Sequence, residues 1–128
     1  MKRVVVLGST GSIGRQTLDV ISSHSEELHV VGLLANTSGE ELRAQGAAFG
    51  CQNLVLMDEA AGKEHGLPAG VQAACDLATR ADADIVVVSV AGVVGLLPTM
   101  AAIQAGKDIA LASKEVLVAA GEVVTEAV

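Results

Sequence analysis

The 128-residue chain carries 8 Lys+Arg against 15 Asp+Glu, a formal net charge of −7, and is 51% hydrophobic and 18% charged. That length fits one domain, and so apolar a chain buries a real core and is not disordered by composition. The acidic balance and the single aromatic residue, Phe49, argue against a nucleic-acid module, and Cys51 and Cys75 form neither a disulfide framework nor a zinc pattern.

Met1-Lys2-Arg3 runs straight into a strand-like segment with no small-residue cleavage site, so a cytoplasmic protein is the expectation. Apolar runs such as Ile85 to Val90 are far shorter than the ~20 residues of a membrane span. Strands are expected at Arg3–Leu7, His29–Leu34, Asn53–Met57, Asp84–Val90 and Asp108–Ala112. Their Val- and Ile-rich runs do not alternate with polar residues, as in strands covered on both faces. The first helix carries Ile13, Thr17, Val20 and Ile21 on one face. Ser38-x-x-Glu41 reads as a capping box opening the second, with Leu42 and Ala47 beyond it. Asp58–Gly70, with Gly62, Gly66, Pro68 and Gly70, reads as a surface connection with room for one turn of helix. Gln72–Thr79 is a short Ala-rich helix; Gly95–Ala105 is another, with Pro98 in its first turn and Gly106 closing it. A last helix begins at Lys114. It is still in register at Val128, without a capping Gly or a basic last turn, which reads as truncation at the C-terminal end. Five alternations of strand and helix imply an α/β fold: a Rossmann-type doubly wound parallel sheet in three αβα layers.

Gly8-Ser9-Thr10-Gly11-Ser12-Ile13-Gly14 stands directly between the first strand and the first helix, the context that gives a glycine pattern its meaning. Gly8 permits a tight turn out of the strand, Gly11 lets a pyrophosphate approach the backbone, and Gly14 permits close packing of helix on strand. The N–H groups of Thr10 to Ile13, the helix dipole and the hydroxyls then favour phosphate. No Gly-Lys-Ser/Thr follows, which excludes a P-loop. A dinucleotide is the better ligand. The second strand ends in Ala35-Asn36-Thr37-Ser38 with no carboxylate to hold a ribose diol, which favours NADP, although no Arg or Lys stands at that tip and Glu40 and Glu41 lie close by. Ser38 serves equally as a helix N-cap or a ligand contact. At the end of the fifth strand, Ser113-Lys114-Glu115 falls where a nicotinamide and an anionic or hydroxylated substrate would lie; the alternative is a helix cap with a solvated lysine. His24, His29 and His65 have no metal or triad partner at recognisable spacing, Cys75 reads as a packing residue, and Asp82 and Asp84 as turn formers.

The first loop with Thr17-Leu18-Asp19-Val20, the block Gly95-Leu96-Leu97-Pro98-Thr99 with Ala105-Gly106-Lys107, and Leu111-Ala112-Ser113-Lys114-Glu115 together resemble the 1-deoxy-D-xylulose 5-phosphate reductoisomerase family over nearly the whole chain. The resemblance implies a metal-dependent oxidoreductase of the non-mevalonate route of isoprene biosynthesis, forming 2-C-methyl-D-erythritol 4-phosphate with NADPH and Mg or Mn. Residues 1–128 then correspond to its NADPH-binding Rossmann domain, without the catalytic, metal-binding and C-terminal domains. Thr10, Gly11, Ser12 and Ile13 match the NADPH loop, Lys114 a substrate-contacting lysine, and Glu115 an NADPH contact. Ser113 replaces a frequent Asn, and Asn36-Thr37-Ser38 replaces Gly-Lys-Asn, so a cation for the 2′-phosphate is missing. No catalytic residue and no metal ligand is expected in this chain, which alone should not turn over. A sugar-phosphate substrate and a full-length homodimer are implied, with no nucleic-acid or membrane partner. The other readings are a semialdehyde-dehydrogenase-like NAD(P) domain, whose catalytic Cys neither Cys51 nor Cys75 is placed to supply, and a stand-alone nucleotide-binding module.

Overall fold

The computed structural model describes residues 2–89 and 96–111. Val90, Gly95, Ala112 and the segment from Ser113 onward, with the expected last helix, lie outside the described residues. The elements in chain order are β1 (Lys2–Leu7), α1 (Ser12–Ser23), β2 (Leu28–Ala35), α2 (Gly39–Phe49), β3 (Leu54–Leu56), α3 (Glu59–His65), α4 (Val71–Ala78), β4 (Ile85–Val88), α5 (Leu96–Gln104) and β5 (Asp108–Leu111). The five strands form one sheet in the order β3-β2-β1-β4-β5, and every pairing is parallel. This is the expected Rossmann-like arrangement. The chain runs outward from β1 in one direction and returns to its other side at β4, so the order reverses between β1 and β4.

Both faces of the sheet are buried, which is why the strands read as unbroken apolar runs. On one face Val4, Val6, Val30, Leu33 and Ile85 pack with Leu18 and Ile21 of α1 and Leu42 of α2. On the other, Val5, Leu7, Leu34, Val86 and Ile109 pack with Ala74 and Leu77 of α4 and Ala102 of α5. The β1–β2 register shifts between Val4 and Val5, which pair with Val30 and Gly32. One extra β2 residue therefore separates Val30 from Leu33, and both still face the α1 and α2 side.

Three local expectations need correction. Asp58–Gly70 is more than a connection: α3 occupies Glu59–His65, capped by the Asp58 carboxylate accepting from Ala61 N–H at 2.9 Å, and Ala69 bridges in parallel to Leu56. The buried face of α1 is Gly14, Thr17, Leu18 and Ile21, with Ile13 and Val20 only half-buried at its margins. Gly14 sits against the preceding loop and sets the rotation of the helix. The capping box on α2 does not form: Ser38 occupies the N-cap but its side chain makes no capping bond, and Glu41 turns to another partner. The α5 expectations hold, with Pro98 in the first turn and Gly106 at φ +80° beyond the last.

Candidate functional site

The loop from Gly8 to Gly11 leaves the carboxyl end of β1 beside the reversal in strand order, where open α/β sheets form their ligand crevice. Gly8 has φ +95°, a left-handed conformation that a Cβ disfavours, and it turns the chain out of the strand. Its N–H and that of Ser9 both donate to the Leu34 carbonyl, at 2.7 and 3.0 Å, so the loop is anchored to the end of β2. From the other side Ser89, just after β4, donates its N–H to the Leu7 carbonyl at 2.9 Å. Its hydroxyl reaches the carbonyls of Leu7 and Gly8 at 2.8 and 3.1 Å. The loop is thus fixed by both neighbours of β1.

At Gly14 an added Cβ would lie 2.0 Å from the Gly8 carbonyl oxygen and 2.7 Å from the Ser9 Cα. The close approach is therefore to the loop backbone rather than to the strand. Gly11 differs. It is the N-cap of α1 at φ −77°, and an added Cβ would meet nothing nearer than the Gly8 oxygen at 3.8 Å. Nothing inside the fold requires glycine at position 11. The first helical hydrogen bond is Arg15 N–H to the Gly11 carbonyl at 2.9 Å, so the N–H groups of Ser12, Ile13 and Gly14 precede the helical ladder. Gly11 N–H closes the turn onto the Gly8 carbonyl at 3.4 Å. Ser12 is exposed, and Thr10 and Ile13 are half-buried. An open glycine backed by free helix-start donors and the positive end of a helix dipole suits a phosphate diester.

Asn36, Thr37 and Ser38 form an exposed tip at the end of β2, beside this loop. The Asn36 and Thr37 carbonyls accept from Asp58 and Gly39 N–H at 3.1 and 2.8 Å, so backbone contacts set the tip's shape. Helix α2 then leans back over the first loop through two side chains one turn apart. Gln45 Nε2 donates to the Ser9 carbonyl at 2.9 Å. Glu41 accepts two hydrogen bonds from Arg15 of α1, at 2.6 Å from Nε and 2.7 Å from Nη2. The Arg15 contact joins the first turn of α1 to the first turn of α2. Through its hydrogen bonds Arg15 holds the Glu41 carboxyl below the usual carboxylate range, and the contact raises Arg15 above its ordinary value. Ser9 Oγ and Gln45 Oε1 are buried and have no hydrogen-bond partner among the described residues. A cleft of about 730 Å³ opens between α1 and α2 with Leu18, Ile21 and Val30 in its lining, and Arg15 and Gln45 also line it.

The structure therefore brings the two loop groups inferred from the sequence, residues 8–14 and 36–38, to adjacent strand ends. Ser113, Lys114 and Glu115 lie outside the described residues. Sequence reasoning missed Arg15, Gln45 and Ser89; a hydroxyl just past an apolar strand was the only signal for Ser89, and the other two carried none. Among the described residues no three His, Cys, Asp or Glu side chains gather to hold a metal, and no helix is long and apolar enough to cross a membrane.

The sequence model of the 1-deoxy-D-xylulose 5-phosphate reductoisomerase family matches residues 4–121. The reductoisomerase of Thermoanaerobacter sp. (strain X514) is 45% identical over all of this chain and 35% of its own length. That of Geotalea uraniireducens (strain Rf4) is 42% identical, again over the whole chain and 36% of the relative. The solved Zymomonas mobilis reductoisomerase, in complex with NADPH, superposes with a TM-score of 0.80 at 34% identity, covering 93% of this chain and 34% of that one. The chain thus spans about a third of the length of the relatives it matches. Loop, sheet order and sequence agree, and the chain belongs to the 1-deoxy-D-xylulose 5-phosphate reductoisomerase family.

Proposed function

We propose that this chain is the NADPH-binding domain of a longer reductoisomerase that converts 1-deoxy-D-xylulose 5-phosphate to 2-C-methyl-D-erythritol 4-phosphate. The observation that carries this reading is Gly11: the fold leaves the space before it open, among helix-start donors that precede the helical ladder and have no partner among the described residues, at the reversal in strand order. In this reading Gly8, Thr10, Gly11, Ser12 and Ile13 cradle the pyrophosphate, and Asn36, Thr37 and Ser38 meet the adenosine ribose and its 2′-phosphate. Ser113 and Glu115 contact the cofactor and Lys114 the sugar-phosphate substrate. Bound NADPH supplies the hydride, and a divalent metal polarises the reacting oxygens. The chain's own residues bind and orient the dinucleotide. Catalytic and metal-binding groups belong to the remaining two-thirds of the enzyme, so the 128-residue chain alone gives no turnover. We further place the full-length enzyme in the cytoplasm as a homodimer. Family membership favours this reading over the semialdehyde-dehydrogenase and stand-alone alternatives. The test is Gly11→Asp in the full-length enzyme, assayed by NADPH oxidation with 1-deoxy-D-xylulose 5-phosphate and magnesium. Activity is expected to vanish while the fold persists; retained activity would overturn the assignment of the loop.

A further inference from the structure

The tip of β2 has a charge problem. Asn36, Thr37 and Ser38 bring no cation, and Glu40 and Glu41 follow immediately in the first turn of α2. A 2′-phosphate dianion placed there would meet two carboxylates. The structure answers one of them from another helix: Arg15, in the first turn of α1, engages both Glu41 oxygens, at 2.6 and 2.7 Å. We propose that Arg15 supplies the missing cation for the adenosine 2′-phosphate and that Glu41 is its positioning residue, an inference that rests on reading the first loop as a dinucleotide site.

Three features carry the assignment. Arg15 N–H bonds the Gly11 carbonyl at 2.9 Å, so its backbone is tied to the loop given to the pyrophosphate. Its guanidinium bonds Glu41, which stands in the first turn of α2, the helix that opens at Ser38 of the β2 tip. The Arg15 side chain is 59% exposed, and its contact with Glu41 uses Nε and Nη2. Nη1 therefore faces no acceptor among the described residues and is available to a second anion. A guanidinium can bridge a carboxylate and a phosphate at once, because its five N–H donors fan out in one plane. A purely structural role explains less. An exposed ion pair contributes little to stability, and Gln45 already ties α2 to the loop at Ser9.

The test compares ligands that differ only in the 2′-phosphate. Affinities of the 128-residue chain for NADPH and NADH, and for 2′,5′-ADP and 5′-AMP, are measured for wild type, Arg15→Gln and Arg15→Lys. Thermal melts establish that each variant is folded. Arg15→Gln is expected to weaken NADPH and 2′,5′-ADP about tenfold while NADH and 5′-AMP change less than about twofold. Arg15→Lys should fall between, since the charge remains and the fork is lost. If Arg15→Gln weakens NADH and NADPH equally, or moves neither, the proposal is overturned and the ion pair only joins two helices. A wild-type chain that binds neither NADPH nor NADH would overturn the dinucleotide reading itself, a different result from parallel weakening in the variant.

Discussion

Two glycines three residues apart serve different masters. At Gly14 the space a methyl group needs is filled by the Gly8 carbonyl at 2.0 Å and the Ser9 Cα at 2.7 Å, both backbone atoms that cannot swing away. Gly14→Ala should cost about 3 kcal/mol or more in urea denaturation, because helix or loop must move. Gly11→Ala meets no such obstacle and should cost about 1 kcal/mol or less, the ordinary loss at an N-cap. Equal costs at the two positions would contradict the loop geometry. The thiols give a second residue-scale expectation. Burial pushes the Cys51 thiol up, while Cys75 is raised by desolvation and by neighbouring Asp76. Cys51 is buried and Cys75 half-buried. In the native protein at neutral pH both should alkylate more slowly than a free thiol, Cys51 the slower of the two; rapid modification of Cys51 would show that its packing opens.

At the scale of elements, strands and helices were legible where periodicity and breakers agreed. The five strands fall on the five Val- and Ile-rich runs because both faces of the sheet are covered. Helix α3 was legible only as a single turn, since its seven residues lie among Gly62, Gly66, Pro68 and Gly70. Gly62 there is a packing residue: a Cβ on it would lie 2.3 Å from the Cβ of Ala69. The Asp58 side chain starts that helix, so Asp58→Ala should lose about 1 kcal/mol by the same denaturation measurement; no change would mean that α3 stands without its cap. The Glu41 contact was misread for a different reason. A Ser three residues ahead of a Glu is a local pattern, whereas Arg15 is 26 residues away and reaches Glu41 only after α1 and α2 lie on the same face of the sheet. Charge placement at the candidate site is a tertiary property, and a sequence tip without lysine did not reveal it.

For the whole molecule, the sheet order sets where ligand groups meet, and the ion pairs Arg3–Asp84 and Arg15–Glu41 tie distant segments together. Asp84 joins the start of β4 to Arg3 of β1, accepting from its backbone N–H at 2.8 Å. Arg3 N–H chiefly lowers the Asp84 carboxyl, Arg80 lowers Asp82, and Arg15 lowers Glu41. A carboxyl held lower in the fold than in the unfolded chain adds stability above its unfolded value, and loses it as the pH falls through the folded one. The denaturation midpoint should therefore hold level near neutrality and fall below about pH 4.5, modestly, because these groups are largely exposed. A midpoint that rises on acidification would contradict the sign of all three contacts.

Dinucleotide binding at the first loop is most directly tested by titrating the chain with NADPH and following reduced-nicotinamide fluorescence, since no Trp or Tyr contributes a background. Saturable binding, tighter for NADPH than for NADH and lost in a Gly11→Asp variant of unchanged circular dichroism, is the predicted result. Undiminished binding in that variant, or none in the wild-type chain, would contradict it.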